Sequence, residues 1–187
     1  MRDVNEIKTK RLTLRPVRMS DASTIARFCG DPGVGRNLAM TPLPYLETAA
    51  EGWIMTLKAR APQGREFVYA IDLAGEGMIG CMGAHQREGS AFEVGYWFGR
   101  PFWGRGFATE ALRSFTAQAR KLGDLQAGHF VDNPASGRVL EKSGFAYTGE
   151  TPKLFSLARG ESVPCKRMTF APDLARALSD RAGAVLH

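Results

Sequence analysis

Two glycines stand directly before an amphipathic helix in residues 103–122, and this arrangement constrains the chain more than any other feature. Gly104 and Gly106 have no Cβ, so the backbone there can approach a ligand closely. The first amides of a helix lack intrahelical acceptors and lie at the positive end of its dipole, where phosphate binds. Residues 92–98, just upstream, are rich in aromatic and β-branched side chains and predict a strand. Apolar residues recur at helical spacing after the glycines, at Ala108, Ala111, Leu112, Phe115, Ala119 and Leu122. A strand, a glycine turn and a helix together predict a phosphate-binding unit.

The spacing of the glycine turn disfavours two common phosphate ligands. A P-loop ends in Gly-Lys-Ser/Thr, and the lysine is absent here, which argues against nucleoside triphosphate hydrolysis. A dinucleotide fingerprint needs a third glycine where Thr109 stands. The alternative without a ligand is that the two glycines serve only a tight turn. The aromatic strand before them and the long helix after them favour a ligand.

A second segment, residues 131–145, resembles the second half of the cofactor site of the GNAT family of N-acetyltransferases. The family pattern there is an Asn that opens a short helix ending in Gly-Phe, which fits Asn133 and residues 144–145. The family's acyl-CoA loop, Gln/Arg-x-x-Gly-x-Gly/Ala, fits residues 103–108 apart from Trp103 at its first place. That tryptophan, and the opening Thr-Lys-Arg-Leu-Thr-Leu-Arg-Pro at residues 9–16, are similar to the branch that contains the ribosomal-protein N-terminal acetyltransferases. The resemblance extends over about residues 8–170.

The resemblance implies the GNAT acyl-CoA N-acyltransferase fold, an α/β (α+β) architecture with a central mixed, mostly antiparallel sheet and helices on both faces. The residue pattern agrees, because residues 66–73, 78–85 and 92–98 predict three strands of an antiparallel meander joined by short turns. With 187 residues we expect one domain over residues 1–187, with a core at about residues 8–170. Residues 171–187 predict a tail or a short amphipathic helix.

Cysteine content and charge indicate the cellular setting. Cys29, Cys81 and Cys165 form neither a disulfide framework nor zinc-ligand spacing, so we expect a reduced, cytoplasmic compartment and no metal. No apolar run is long enough for a signal core or a membrane span. The net charge of +6 suits a polyanionic cofactor and also nearby ribosomal RNA. The basic residues are dispersed, so direct nucleic-acid binding is not expected. A monomer and a homodimer both fit these data.

The resemblance implies that acetyl-CoA is the acyl donor and that two groups of residues bind it. The pantetheine arm pairs with the end of the strand at 92–98 through backbone groups of Tyr96, Trp97 and Phe98, where an amide faces the thioester oxygen. Asn133 contacts the pantetheine amides unless its side chain caps the helix. Arg105 either adds positive charge for the pyrophosphate or faces solvent. The glycine turn and the helix start hold the pyrophosphate, and their residues are Trp103, Gly104, Arg105, Gly106, Phe107, Ala108 and Thr109.

Glu93 is the candidate general base, because most amines are protonated at neutral pH and their acylation needs a proton acceptor or a water relay. A carboxylate in an otherwise apolar strand costs free energy unless it has a partner, so the alternative is an ion pair with a nearby Lys or Arg. Gly95, on the same strand face, leaves room for a substrate. Many family members carry, where this chain has Leu140, a Tyr that acts as the general acid and protonates the departing thiolate. Ser136 is the nearest hydroxyl, and it either binds the sulfur or pantetheine region or forms a simple turn hydrogen bond.

These residues predict an N-acetyltransferase that moves the acetyl group of acetyl-CoA directly to a primary amine. The branch resemblance suggests a ribosomal-protein N-terminus as the acceptor, and a small-molecule amine, such as an antibiotic or a polyamine, stays open. A non-catalytic CoA-binding or ribosome-associated module is the alternative from another class, motivated by the missing Tyr and the basic charge. His85 and His129 have no motif partner, so we expect them to be packed or exposed rather than catalytic.

Overall fold

The computed structural model describes residues 6–86 and 91–173, which form a nine-stranded sheet with helices on both faces. The strands are β1 Ile7–Lys8, β2 Leu12–Pro16, β3 Glu66–Leu73, β4 Gly77–Gln86, β5 Phe92–Phe98, β6 Leu125–Phe130, β7 Phe145–Tyr147, β8 Lys153–Ser156 and β9 Glu161–Phe170. Their order in the sheet is β1-β2-β3-β4-β5-β6-β9-β7, and β8 also pairs with β9. The pair β5–β6 is parallel and the other pairs are antiparallel. The sheet is therefore mixed and mostly antiparallel, as predicted.

The described residues include five α-helices, which are α1 Ala22–Cys29, α2 Pro32–Gly35, α3 Glu47–Arg60, α4 Phe107–Ala119 and α5 Pro134–Lys142. Four of them, α1, α3, α4 and α5, pack apolar side chains against the sheet. On one face, Ile25 of α1 and Ile54 of α3 pack against Ala70 and Cys81 of the sheet. On the other face, α4 and α5 contribute Leu112, Phe115 and Leu140 to the larger core cluster. The helical spacing in residues 108–122 thus forms a buried stripe, and the prediction of helices on both faces is confirmed.

The parallel pair β5–β6 opens into a wedge. Pairing between these strands covers Phe92–Val94 and Leu125–Ala127, and it ends at Val94 and Ala127. β5 continues to Phe98 and β6 continues to Phe130, so the ends of the two strands diverge. The β6-facing edge of β5 beyond Val94 therefore presents backbone donors and acceptors to a cleft rather than to a strand.

The predicted meander is present as β3, β4 and β5, with antiparallel registers along both pairs. The predicted tail or helix at residues 171–187 lies outside the described residues from residue 174 onward. Within the part of the chain that the structure describes, none of the helices combines the length and the apolar character needed to cross a bilayer.

Candidate functional site

The glycine turn adopts the backbone that the sequence predicts for a phosphate cradle. Gly104 and Gly106 have φ angles of 72° and 78°, in the left-handed region that side chains disfavour. Gly106 immediately precedes α4, and none of the described side chains caps that helix end. The amides of Phe107, Ala108 and Thr109 are the first of the helix and have no acceptor within it. They line the same cavity as the two glycines, so this helix end is available to an anion.

Arg11 holds the glycine turn from the opposite side. Its Nη1 donates to the carbonyl oxygen of Arg105 at 3.0 Å, and its Nε donates to Glu110 at 2.7 Å. Its guanidinium also lies over the ring of Phe107, 4.4 Å from the centroid. Burial alone would raise the pKa of Glu110, but hydrogen bonds from Thr9 and Arg11 lower it below its ordinary value. The β1–β2 turn therefore fixes both the loop and the first turn of α4.

Trp103, the residue that departs from the general family motif, connects the loop between β5 and α4 to the end of β5 by a hydrogen bond. Its indole Nε1 donates to the carbonyl oxygen of Phe98 at 2.7 Å. Arg105 lies over the ring of Phe107, 4.9 Å from its centroid, so the two arginines 11 and 105 both contact that ring. The loop between β5 and α4 is thus tied to the end of β5, and Trp103 lines the cavity.

A cavity of about 680 Å³ passes through the wedge between β5 and β6. On the α4–α5 face it is lined by the glycine turn, by Asn133 and by Ser136. On the α1–α3 face it is lined by Glu93 and Gly95. The cavity thus connects the two faces of the sheet at the point where the parallel strands diverge. All predicted cofactor-binding positions except Arg105 line it, namely Tyr96, Trp97, Phe98, Trp103, Gly104, Gly106, Phe107, Ala108, Thr109, Asn133 and Ser136.

Ser136 forms a hydroxyl pair with Tyr96. The Ser136 Oγ and the Tyr96 Oη share a hydrogen bond of 2.8 Å, and the Tyr96 hydroxyl also lies 3.1 Å from the Ser136 carbonyl oxygen. Burial raises the pKa of Tyr96 to about 12, and the bond to Ser136 opposes this rise. The phenol therefore remains protonated at neutral pH and can donate. The hydrogen bond between Ser136 Oγ and Tyr96 is not a local turn contact, because it joins α5 to β5 across the wedge.

Asn133 caps α5 with its side chain. Its Oδ1 accepts a hydrogen bond from the Ser136 amide at 3.2 Å, as expected of an Asn that precedes Pro at the first helical position. This contact occupies the oxygen of the amide group. The Asn133 side-chain oxygen is therefore engaged in capping α5, and the side-chain NH2 group remains for a contact with the pantetheine amides.

Glu93 forms an ion pair with Arg167, which corresponds to the alternative that the sequence left open. The two guanidinium nitrogens lie 2.8 and 2.5 Å from the two carboxylate oxygens. Both side chains are about one-fifth exposed and face the cavity. Hydrogen bonding to Glu93 raises the pKa of Arg167. Arg167 therefore stays protonated and remains the cationic partner of the Glu93 carboxylate. The carboxylate keeps lone pairs for a further donor, such as an amine or a water molecule.

Both histidines lie beside polar partners, and the expectation that neither is catalytic stays a prediction. His129 is buried, with Nδ1 2.8 Å from the carbonyl oxygen of Phe130 and Nε2 3.0 Å from the hydroxyl of Tyr147. His85 lies 3.0 Å from Glu66. His129 lies outside the cavity lining, whereas His85 lines the cavity and is the register partner of Glu93 on β4.

Sequence reasoning did not identify Arg167, the Tyr96 hydroxyl or the Arg11–Glu110 pair. Arg167 is 74 positions from Glu93, and Arg11 is 99 positions from Glu110, so local spacing carries no signal for either contact. For Arg11 a weak signal exists, because Glu110 stands in the first turn of α4, where an acidic residue is favourable. The Tyr96 hydroxyl has its partner, Ser136, 40 positions away, so local spacing carries no signal for that contact either.

Comparison with known proteins agrees with this geometry. The family model described as an acetyltransferase (GNAT) domain matches residues 11–146. An uncharacterized N-acetyltransferase of Bacillus subtilis, YoaA, is 31% identical over 150 residues, which cover 76% of this chain and 84% of that protein. The uncharacterized N-acetyltransferase p20 of Bacillus licheniformis is 27% identical over 147 residues, covering 75% of this chain and 82% of that one.

Solved structures share the fold at low sequence identity. RimL, a ribosomal alpha-N-protein acetyltransferase solved in complex with coenzyme A, superposes with a TM-score of 0.75 at 18% identity, covering 90% of this chain and 99% of that one. This likeness concerns the fold. The chain belongs to the GNAT family and is an acetyl-CoA-dependent N-acetyltransferase.

Proposed function

We propose that this enzyme acetylates the α-amino group of a protein N-terminus and that a ribosomal protein is the acceptor. One observation carries the proposal: a continuous cavity joins the glycine turn on one face of the sheet to Glu93 on the other. A donor that enters from one face and an amine that enters from the other then meet in the wedge between β5 and β6. Holding two reactants in this way removes much of the entropic barrier to their reaction. The fold shared with RimL supports a protein N-terminus as the acceptor.

Acetyl-CoA has a binding mode that follows from the shape of the wedge. Its pyrophosphate lies on the amides at the start of α4, where Gly104 and Gly106 keep the approach open. Its pantetheine arm runs along the edge of β5 from Gly95 to Phe98, which extends beyond the pairing with β6. The arm replaces the missing strand and satisfies the exposed backbone groups of that edge. Arg138 and Lys142, which line the cavity on α5, add positive charge near the nucleotide end.

Transfer then proceeds in one direct step. The amine nitrogen attacks the thioester carbonyl carbon, a C–N bond forms and the C–S bond breaks. A backbone amide of β5 stabilises the developing oxyanion. Glu93 accepts the proton that leaves the nitrogen, either directly or through water, and Arg167 orients the carboxylate. The Tyr96–Ser136 hydroxyl pair donates a proton to the departing thiolate, which leaves as the CoA thiol, and the pair regains a proton from water.

We also propose that the enzyme works in the cytoplasm. Cys29, Cys81 and Cys165 are all buried free thiols, which suits a reducing compartment.

The proposal is tested by mass spectrometry of synthetic peptides incubated with enzyme and acetyl-CoA. We expect one acetyl group on the α-amine, located by fragmentation, in a reaction that needs both components. Peptides with a blocked N-terminus and a free lysine are the matched control. Acetylation of the lysine in that control at an equal rate would contradict α-amine specificity.

A further inference from the structure

The cavity extends beyond the wedge into a pocket on the α1–α3 face of the sheet. We call this the acceptor pocket, and its walls are Leu38, Tyr45, Trp53, Val68, Cys81 and Trp97. These side chains come from the loop before α3, from α3 and from three adjacent strands. Three of them are aromatic and the rest are aliphatic or a buried thiol. Such walls favour an apolar occupant, because transfer of apolar surface out of water is stabilising.

Gly95 forms the floor of the acceptor pocket. A Cβ built at this position meets no atom of the described chain within 4 Å, although Gly95 lies in the middle of β5. Glu93 and Trp97, two residues to either side, point to the same face of the strand. Directly opposite in register is Gly83 of β4, where the Val68 side chain fills the space and an added Cβ would lie 2.8 Å from its Cγ2. The space between the carboxylate and the indole is therefore open to a substituent of the substrate.

The acceptor pocket carries almost no charge. Among the described residues that line the whole cavity, Glu93 is the one acidic side chain, and Arg167 already neutralises it. Burial raises the pKa of the Cys29 thiol to about 12. Burial, with the nearby cysteines 29 and 81, raises the pKa of the Tyr45 phenol to about 12. These groups stay neutral at physiological pH. A polycationic amine would need several carboxylates to replace its hydration, and the acceptor pocket does not provide them.

Hydrogen bonds fix residues 36–39 beside the cavity. The Leu157 amide, just after β8, donates to the carbonyl oxygen of Ala39 at 2.9 Å. Next to it, Asp132 accepts hydrogen bonds from Arg159 at 2.7 Å and from Arg36 at 2.8 Å. These contacts tie residues 36–39, of which Leu38 and Ala39 line the cavity, to the β8–β9 turn.

We propose that the acceptor is a primary amine whose neighbouring substituent is apolar or aromatic, and that this substituent fills the acceptor pocket while the nitrogen lies beside Glu93. For a protein acceptor, the substituent is the side chain of the first residue. This inference rests on the proposed function, since it assigns the substrate class of the same site. Phenethylamine carries an aromatic substituent next to a primary amine but has no peptide. It therefore tests the apolar acceptor pocket separately from the proposal of a protein N-terminus.

The experiment compares tetrapeptides that differ only in their first residue (Phe, Leu, Ser or Lys) with phenethylamine and spermidine. The kcat/KM of each is measured from CoA thiol release. We expect the Phe and Leu peptides to exceed the Ser and Lys peptides by at least about tenfold, which is the scale of burying one apolar side chain. Equal rates, or a preference for the Lys peptide or spermidine, would overturn the proposal.

A substitution that fills the space above Gly95 in the acceptor pocket gives a second, independent test of the proposal. Gly95→Val fills the open space and should reduce the preference for Phe over Ser by at least about tenfold. Gly52→Val is the matched control, because a Cβ there also meets no described atom within 4 Å and Gly52 lies on the exposed side of α3. If Gly95→Val instead changes only the rates with longer acyl-CoA donors, the pocket holds the acyl chain and the proposal is wrong.

Binding distinguishes failure of this inference from failure of the proposed function. Trp53 and Trp97 line the acceptor pocket, so phenethylamine should quench their fluorescence in the presence of CoA and spermidine should not. Quenching or acetylation of phenethylamine with no reaction of any peptide would contradict the protein N-terminus and support the apolar pocket. The absence of both quenching and turnover would overturn the inference itself.

Discussion

Arg167 on β9 reaches Glu93 on β5 although β6 lies between these strands in the sheet. The side chain passes over Gly128 of β6, where an added Cβ would lie 2.9 Å from the Arg167 Nη1. Gly128 is also the register partner of Arg167. A glycine in the central strand thus creates the path along which the guanidinium crosses to the carboxylate. This relationship places a paired, oriented carboxylate at the floor of the cavity.

Replacement of the carboxylate tests its role as proton acceptor. Glu93→Gln keeps the shape and a hydrogen bond to Arg167 but removes the base, so we expect kcat to fall by about 10²-fold or more. The KM for acetyl-CoA should change little. Asp31→Asn is the matched control, since Asp31 is a partly buried carboxylate paired with Arg100 and neither residue lines the cavity. Unchanged turnover of Glu93→Gln between about pH 7 and about pH 9 would remove Glu93 from the mechanism.

The hydroxyl pair of Tyr96 and Ser136 should act as a unit. Tyr96→Phe and Ser136→Ala should each lower kcat by about tenfold, and the double variant should be no slower than the slower single one. Because burial raises the pKa of Tyr96 to about 12, ionisation of Tyr96 should cause no loss of rate up to about pH 10. Steady-state kinetics over that range is the measurement. Tyr147→Phe, which removes a hydroxyl bound to His129 instead, is the control, and additive effects of the two substitutions would contradict a shared role.

The anchor behind the glycine turn should affect donor binding alone. Arg11→Gln removes the bond to the Arg105 carbonyl and the ion pair with Glu110, so the loop that holds the pyrophosphate loses its support. We expect the KM for acetyl-CoA to rise about tenfold with kcat unchanged, which corresponds to roughly 1.4 kcal/mol. Lys10→Gln, an exposed neighbour with the same charge change, should leave the KM unchanged. A fall in kcat without a rise in KM would show that Arg11 serves the chemical step.

Local spacing was sufficient for the donor side of the site and insufficient for the acceptor side. The glycine turn, the start of α4 and the Asn133 cap are each determined within a few residues, and all three were predicted from the sequence. The partner of Glu93 was not, because it depends on the strand order β5-β6-β9, which brings residues 74 positions apart together. The acceptor pocket was not predicted either, because its walls come from elements spread between residues 38 and 97 that only the tertiary fold brings together.

A buried ion cluster near the start of α1 should make stability depend on pH. Arg15 binds Asp21 through both Nη atoms at 2.8 Å and binds Asp72 through Nε at 2.6 Å. Burial alone would raise the pKa of Asp21, but hydrogen bonds from Arg15 and the Arg18 amide lower it below its ordinary value of 3.8. A carboxylate with a lowered pKa stabilises the fold above its unfolded pKa, and this contribution is lost as the pH falls through the folded pKa.

Asp21→Asn should therefore lower the free energy of unfolding by about 3 kcal/mol at neutral pH, because it leaves a buried guanidinium without one partner. Urea denaturation at several pH values is the measurement, and the difference from wild type should shrink below about pH 4. Glu76→Gln, in the exposed β3–β4 turn, should change stability by less than about 0.5 kcal/mol. A difference that persists unchanged in acid would contradict the assigned ionisation.

The position of acetyl-CoA in the wedge is the central claim, and calorimetric titration of acetyl-CoA into Gly106→Arg tests it most directly. An arginine side chain at this turn fills the approach to the first amides of α4. Gly64→Arg is the matched control, since Gly64 has a similar φ of 69° and lies outside the cavity lining, so both variants carry the same backbone strain. We predict that Gly64→Arg binds acetyl-CoA as wild type does and that Gly106→Arg, equally folded, binds at least about 100-fold more weakly. Retained affinity in Gly106→Arg would contradict the placement of the pyrophosphate and with it the account of the site.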